Sequence, residues 1–235
     1  MTTPIQVVEI FTSIQGEGPS AGEPATFLRL ANCNLSCTWC DTRHSWDWES
    51  FDKQTEVVAF SPEDLIRQLL EEIPDHVRLL VLTGGEPLLQ QATIAPVLAQ
   101  LRGSRPDLRV EVETNGTIAP SAGVRAQVHM FVVSPKLANA GVPEKRRLRR
   151  DALIELSRTN SVAKFVVEGT ADVDAAVEAG TAAGFDRQRI WVMPQTTSGS
   201  DLGRLIAELA PAAVSAGVKV SSRLHILAWG DTRGT

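Results

Sequence analysis

The sequence predicts an α/β protein built as a partial, open barrel of about six parallel strands with helices between them. Two observations carry this. Short apolar runs alternate with helical patterns along most of the 235 residues, which implies parallel strands joined by right-handed crossovers. About six such units are too few for a closed eight-fold barrel. The chemically distinctive residues also fall just after strands, where the active residues of such barrels lie.

The elements follow in order. Residues 7–11 and 26–30 read as strands, and a cysteine-bearing loop comes next. Ser61-Pro62-Glu63-Asp64 is a helix start: a capping hydroxyl, proline in the first turn, and acids facing the positive end of the dipole. Leu65, Ile66, Leu69 and Leu70 give that helix its apolar face. Residues 79–82 form a buried-type strand running into Gly84-Gly85. Helix 88–101, strands 109–113 and 131–133 and helix 151–156 follow. Strand 163–167, helix 172–183, strand 190–193, helix 201–210 and a last strand near 218–226 complete the series. The segment 41–60, with Trp46, Trp48 and several acids, reads as a local insertion covering the site.

With 43% hydrophobic residues the chain can bury one full core, so residues 1–235 are expected to form a single domain. The first eleven residues, broken by Pro4 and Glu9, read as neither a secretion signal nor a transit peptide. No apolar run approaches the ~20 residues of a membrane span. The expectation is a soluble cytoplasmic protein with reduced thiols, no membrane partner and, at a net charge of −5, no nucleic-acid partner.

The chain has three cysteines, all within Cys33-Asn-Leu-Ser-Cys37-Thr-Trp-Cys40. Three thiolates in one small volume can hold a 4Fe-4S cluster and leave one iron open to an outside ligand. That arrangement suits reductive cleavage of S-adenosylmethionine. Three cysteines cannot all pair as disulfides, but zinc with His44 as fourth ligand is a competing reading. Downstream, Thr83-Gly84-Gly85-Glu86, Glu113-Thr114-Asn115-Gly116 and Ser134-Pro135-Lys136 each follow a strand. The glycine pair lets a backbone approach a ligand closely; a plain strand-to-helix turn is its alternative.

The opening Glu9-Ile10-Phe11-Thr12-Ser13-Ile14-Gln15-Gly16-Glu17-Gly18 narrows the reading. With it, the chain resembles the 7-carboxy-7-deazaguanine synthases, radical S-adenosylmethionine (radical SAM) enzymes of queuosine and related 7-deazapurine biosynthesis. The likeness runs from Glu9 to the closing His225-Ile-Leu-Ala-Trp229-Gly230 and Arg233-Gly234-Thr235. It implies a lyase converting 6-carboxy-5,6,7,8-tetrahydropterin to 7-carboxy-7-deazaguanine with release of ammonia. The implied cofactors are a 4Fe-4S cluster, S-adenosylmethionine and Mg2+. The implied chemistry is a 5′-deoxyadenosyl radical that takes hydrogen from the pterin C6 and later returns it.

By this resemblance Cys33, Cys37 and Cys40 hold the cluster and Thr42 binds magnesium, with a turn cap as the alternative for Thr42. Trp39, Asp41, Gly84, Gly85, Glu113 and Asn115 face the cofactor, joined by Ser134, Pro135, Lys136 and Gln195. Asp41 could equally cap a helix, and Lys136 could be a surface lysine. Ile14, Gln15, Gly16, Glu17 and Thr83 face the pterin, with His225 and Thr235 closing over it. Arg29 suits the substrate carboxylate, because its fork binds carboxylates bidentately, unless it faces outward. The implied partners are a second copy in a homodimer and an external electron donor such as flavodoxin. The basic run Lys145, Arg146, Arg147, Arg149 and Arg150 is either a solvated helix start or a dock for that donor. The rival functions are a glycyl-radical enzyme activase and a non-catalytic Cys3His zinc module.

Overall fold

The computed structural model describes residues 3–235. Nine strands form one sheet: β1 (Ile5–Ile14), β2 (Pro24–Leu30), β3 (Val58–Phe60), β4 (Leu79–Gly84), β5 (Arg109–Thr114), β6 (Met130–Val133), β7 (Ser161–Val167), β8 (Ile190–Pro194) and β9 (Lys219–Val220). The order across the sheet is β3-β1-β2-β4-β5-β6-β7-β8-β9. Strands β2 and β4 to β9 run parallel to one another, whereas β1 is antiparallel to both β2 and β3. The helices are α1 (Lys53–Glu56), α2 (Pro62–Glu72), α3 (Gln91–Ser104), α4 (Ala122–Arg125), α5 (Glu144–Arg147), α6 (Arg150–Ser157), α7 (Thr170–Ala182), α8 (Gly199–Ala216) and α9 (Leu224–Trp229).

Alternation along each strand separates two interiors. One face carries Leu28, Leu80, Val110, Val112, Phe131, Phe165 and Val192 into the main core against α2, α3, α7 and α8. Phe27, Val81, Glu113, Val132, Lys164, Val166 and Met193 point the other way. Phe27 and Val81 join Ala25, Leu79 and Phe11 in a small inner cluster, where the Phe11 and Phe27 rings stack at 4.9 Å. Residues from β1, β2, β4, β5, β6, β7 and β8 line a single cavity, so the sheet must curl around it. An open sheet with seven parallel strands thus replaces the expected count of about six.

Local sequence explains some element ends. Ser61 accepts the Asp64 N–H at 3.1 Å and Pro62 begins α2, as its start signal predicts. The segment 41–60 does not stand apart from the sheet: it ends in β3, which pairs with β1 at the edge. The expected strand at 218–226 is mostly wrong. Pairing stops after Val220, and Leu224 opens α9. The opening loop draws the chain away: the Ser221 N–H still reaches the Val192 carbonyl at 2.9 Å, but the Ser221 hydroxyl accepts the Gly18 N–H at 2.8 Å and the Leu224 N–H donates to the Gly16 carbonyl at 2.9 Å. Among the described residues no helix is long and apolar enough to cross a membrane.

Candidate active site

The cysteine loop leaves β2 through Asn32, a non-glycine residue at φ 73° whose side chain is fixed by Trp48 and Gln6. Cys33, Cys37 and Cys40 are free thiols, and all three line the cavity, which measures about 240 Å³. Leu35, Cys37, Ala140 and Val142 pack into an apolar shell on one side of the loop. N–H donors meet the sulfurs: Leu35 N on Cys33 at 3.4 Å, Trp46 Nε1 on Cys40 at 3.3 Å, and Asn115 Nδ2 on Cys33 at 3.8 Å. Burial pushes the Cys33 thiol up to about 11 and raises Cys37 as well. Such thiols gain their charge on metal binding, which releases their protons.

These residues fit a thiolate-held iron–sulfur cluster, because donors to sulfur and an apolar shell are the usual second layer of one. They fit the Cys3His zinc reading poorly. His44 Nε2 lies 3.9 Å from Glu9 and its ring meets the edge of Phe51, and His44 is not among the residues lining the cavity.

The glycine pair is required by its own chain. Gly84 has φ +132°, and a Cβ there would lie 2.1 Å from the Leu30 carbonyl oxygen; one on Gly85 would lie 2.2 Å from that of Asn32. Both glycines also line the cavity. The next residue, Glu86, is fully buried and accepts from Leu88 N at 3.0 Å, Asn115 N at 2.7 Å and Thr114 Oγ1 at 2.9 Å. It therefore fastens the end of β4 to the end of β5. Burial pushes its carboxyl pKa up against those bonds. The Asn115 side chain is engaged too, donating to Asn34 and accepting from Thr117.

On the inner face Glu113 accepts from Thr83 Oγ1 at 2.9 Å and Gln15 Nε2 at 3.2 Å. It was expected with the cofactor set, yet it bonds two residues expected on the substrate side. Ser134 and Lys136 hold each other at 2.8 Å, and the Lys136 ammonium sits 5.4 Å from the Trp39 ring. Pro135 is buried but does not line the cavity. Thr42, Asp41, Gln195, Ile14, Gly16, Arg29, His225 and Thr235 all line it. Thr42 precedes a short turn, but its hydroxyl caps nothing and lies 3.6 Å from the Cys40 sulfur. Arg29 is neither unpaired nor outward: its Nε donates to Glu9 at 2.6 Å. Glu9 also meets Arg233 of the tail at 2.9 Å. Burial works against that carboxylate, but His44, Arg29 and Arg233 outweigh it and hold its pKa far below the usual range.

Two site residues escaped the sequence reading. Lys164 on β7, 4% exposed, pairs with Glu17 and lies 3.9 Å from Glu113. Arg223, 5% exposed, donates through Nε to Glu17 at 3.0 Å and pairs with Asp41 beside the last cysteine. Asp41 thus engages an arginine and caps no helix. Burial opposes the charge on Glu17, but Lys164 and Arg223 hold its carboxyl well below the ordinary range. Burial lowers the His225 pKa, which favours the neutral imidazole. A Cβ on Gly16 would fall 2.0 Å from His225 Nδ1, so the imidazole needs a glycine beneath it. A lone cation inside the apolar run 162–167 was the available signal for Lys164; Arg223 gave none.

A cysteine loop with a glycine pair packed against it, at the carboxyl ends of parallel strands, defines the radical SAM class. The profile of the radical SAM superfamily matches residues 29–125. The chain is 37% identical over 237 residues to the 7-carboxy-7-deazaguanine synthase of Pyrobaculum aerophilum, covering 99% of this chain and 98% of that one. It is 35% identical to that of Hyperthermus butylicus, covering 97% and 94%. The crystal structure of QueE from Escherichia coli superposes with a TM-score of 0.70 at 25% identity, covering 93% of both chains. The chain belongs to the 7-carboxy-7-deazaguanine synthase family.

Proposed function

We propose that the protein converts 6-carboxy-5,6,7,8-tetrahydropterin to 7-carboxy-7-deazaguanine with release of ammonia. The observation that carries the reading is one cavity lined both by the three cysteines and by the Gln15–Glu113–Thr83 bonded set with Arg29. When bound, the cluster and S-adenosylmethionine supply a hydrogen-abstracting radical. Cys33, Cys37 and Cys40 would hold that cluster, with Trp46 and Asn115 donating to the Cys40 and Cys33 sulfurs. Gly84 and Gly85, which line the cavity, would offer their backbone groups to the methionine part of the cofactor, and the Ser134–Lys136 pair would meet its polar groups.

Arg29 faces the substrate carboxylate with the guanidinium nitrogens that Glu9 does not take, since a planar fork can serve two carboxylates. Glu113, with both oxygens already accepting, takes further N–H donors from the pterin ring and orients it. Orientation within near-attack distance is a large part of such catalysis. The test is anaerobic turnover of the reconstituted protein with the pterin, S-adenosylmethionine, Mg2+ and dithionite. Formation of 7-carboxy-7-deazaguanine is expected, and cofactor cleavage with the pterin left intact would sink the reading.

Magnesium enters through Thr42. Its hydroxyl has no capping duty and lies beside the last cysteine, and hard oxygen ligands suit Mg2+, which keeps several waters. Thr42→Ala is expected to keep the cluster spectrum and lose most of the stimulation by Mg2+, while Thr42→Ser retains much of it. An unchanged Mg2+ response in Thr42→Ala places the ion elsewhere.

A further inference from the structure

We propose that the exposed cations Lys145, Arg146, Arg149 and Arg150 form a docking surface for an acidic one-electron carrier protein. The proposal rests on the function given above, which requires an outside electron to reduce the cluster before S-adenosylmethionine can be cleaved.

Three observations carry it. First, the four side chains, on α5 and the start of α6, are exposed, and among the described residues none has an acidic partner within salt-bridge distance. Glu144 turns to Arg147, and Asp151 lies in the first turn of α6. In a chain of net charge −5, this is a local reversal of sign. Second, the surface is the outer side of the wall that holds the cysteines. Arg146 donates to the Asn34 carbonyl at 2.9 Å, one residue past Cys33. The Thr38 N–H donates to the Ala140 carbonyl at 3.1 Å, and Ala140 and Val142 pack with Cys37. Third, none of the exposed large apolar side chains lies between residues 90 and 213. A surface with charge and little exposed apolar area steers brief encounters and does not hold a permanent subunit.

A reduced flavin or iron–sulfur protein with an acidic face fits these terms. Carrier complexes of this kind are small and short-lived. In the encounter the carrier loses one electron, the site gains it, and no bond is made or broken. The alternative occupant of a basic surface is RNA.

The test uses K145E/R149E/R150E, which spares Arg146 and the buried Arg147. Flavodoxin is the probe, with its binding measured by calorimetry at low ionic strength. The variant is expected to bind about tenfold or more weakly, and carrier-driven reduction of the cluster, read as the onset of turnover at low carrier concentration, slows in proportion. Dithionite-driven turnover stays at the wild-type level. The neutral set K145Q/R149Q/R150Q gives an intermediate loss. Added salt is expected to weaken flavodoxin binding in the wild type and to change it little in the charge-reversed protein. Unchanged flavodoxin affinity in both variants would overturn the proposal, as would loss of single-stranded RNA binding with flavodoxin binding intact. Failure of the wild type to turn over with dithionite strikes the proposed function instead and leaves the binding measurement to judge the surface.

Discussion

In a Cys37→Ala protein, bound iron and sulfide fall to background after reconstitution and product formation stops. The reason is arithmetic: the chain has three cysteines, and all three line one cavity. Cys37 is also the most enclosed, 9% exposed and packed with Leu35, Ala140 and Val142, so its replacement leaves a small apolar gap and no nearby ligand. Visible absorbance and iron analysis measure the loss. His44→Ala is the matched control, because that ring faces Glu9 and Phe51. It is expected to keep the cluster. A Cys37→Ala protein that binds iron normally would end the cluster assignment, and equal losses in the two variants would restore the zinc reading.

The second large effect is on stability. Lys164→Met keeps the stem of the side chain and removes its ammonium from beside Glu17. Cutting one partner from a buried ion pair costs about 3–5 kcal/mol, since the remaining charge stays desolvated. Arg223 still reaches Glu17, so the expected loss lies near the lower end, about 3 kcal/mol, read from the urea midpoint. The pH dependence follows from the sign of the shift. The Glu17 carboxyl is held below its ordinary 4.5, so it contributes stability above that value and loses it as pH falls towards the native one. Removing Lys164 raises the native value, and acid unfolding is expected to begin at a higher pH. In combination with Glu17→Gln the two losses are expected to be less than additive. Strict additivity, with an unchanged acid midpoint, would mean that the pair makes no energetic contact.

The sequence made most of the parallel strands legible because they are largely apolar runs buried on both faces, as in Leu79-Leu80-Val81-Leu82. It made the cysteine loop, the glycine pair and the Gln15–Glu17 opening legible because short motifs there carry the contacts. What it hid was of another kind. Arg223 lies in a stretch whose composition reads as strand, and only the loop at residues 15–18, brought alongside by the sheet, turns that stretch away. The Glu113 contacts were not legible because sequence order places this residue with Asn115, whereas the pleat points it across the cavity to Gln15. Asn139, which accepts from Trp39 Nε1 at 3.3 Å, and Glu86 are supports whose role is visible only once their strands stand side by side.

The bonds between the opening loop and the closing segment span 203 residues from Gly18 to Ser221 and 206 from Glu17 to Arg223. Synthesis proceeds from the N-terminus, and most of the parallel sheet can zip while the chain is still on the ribosome. Glu17, however, meets its guanidinium only after residue 223 has cleared the exit tunnel. Asp41, beside the last cysteine, waits for the same arginine. Until then the three thiols sit in a half-walled cup, which the closing segment completes when Arg223 docks between Glu17 and Asp41.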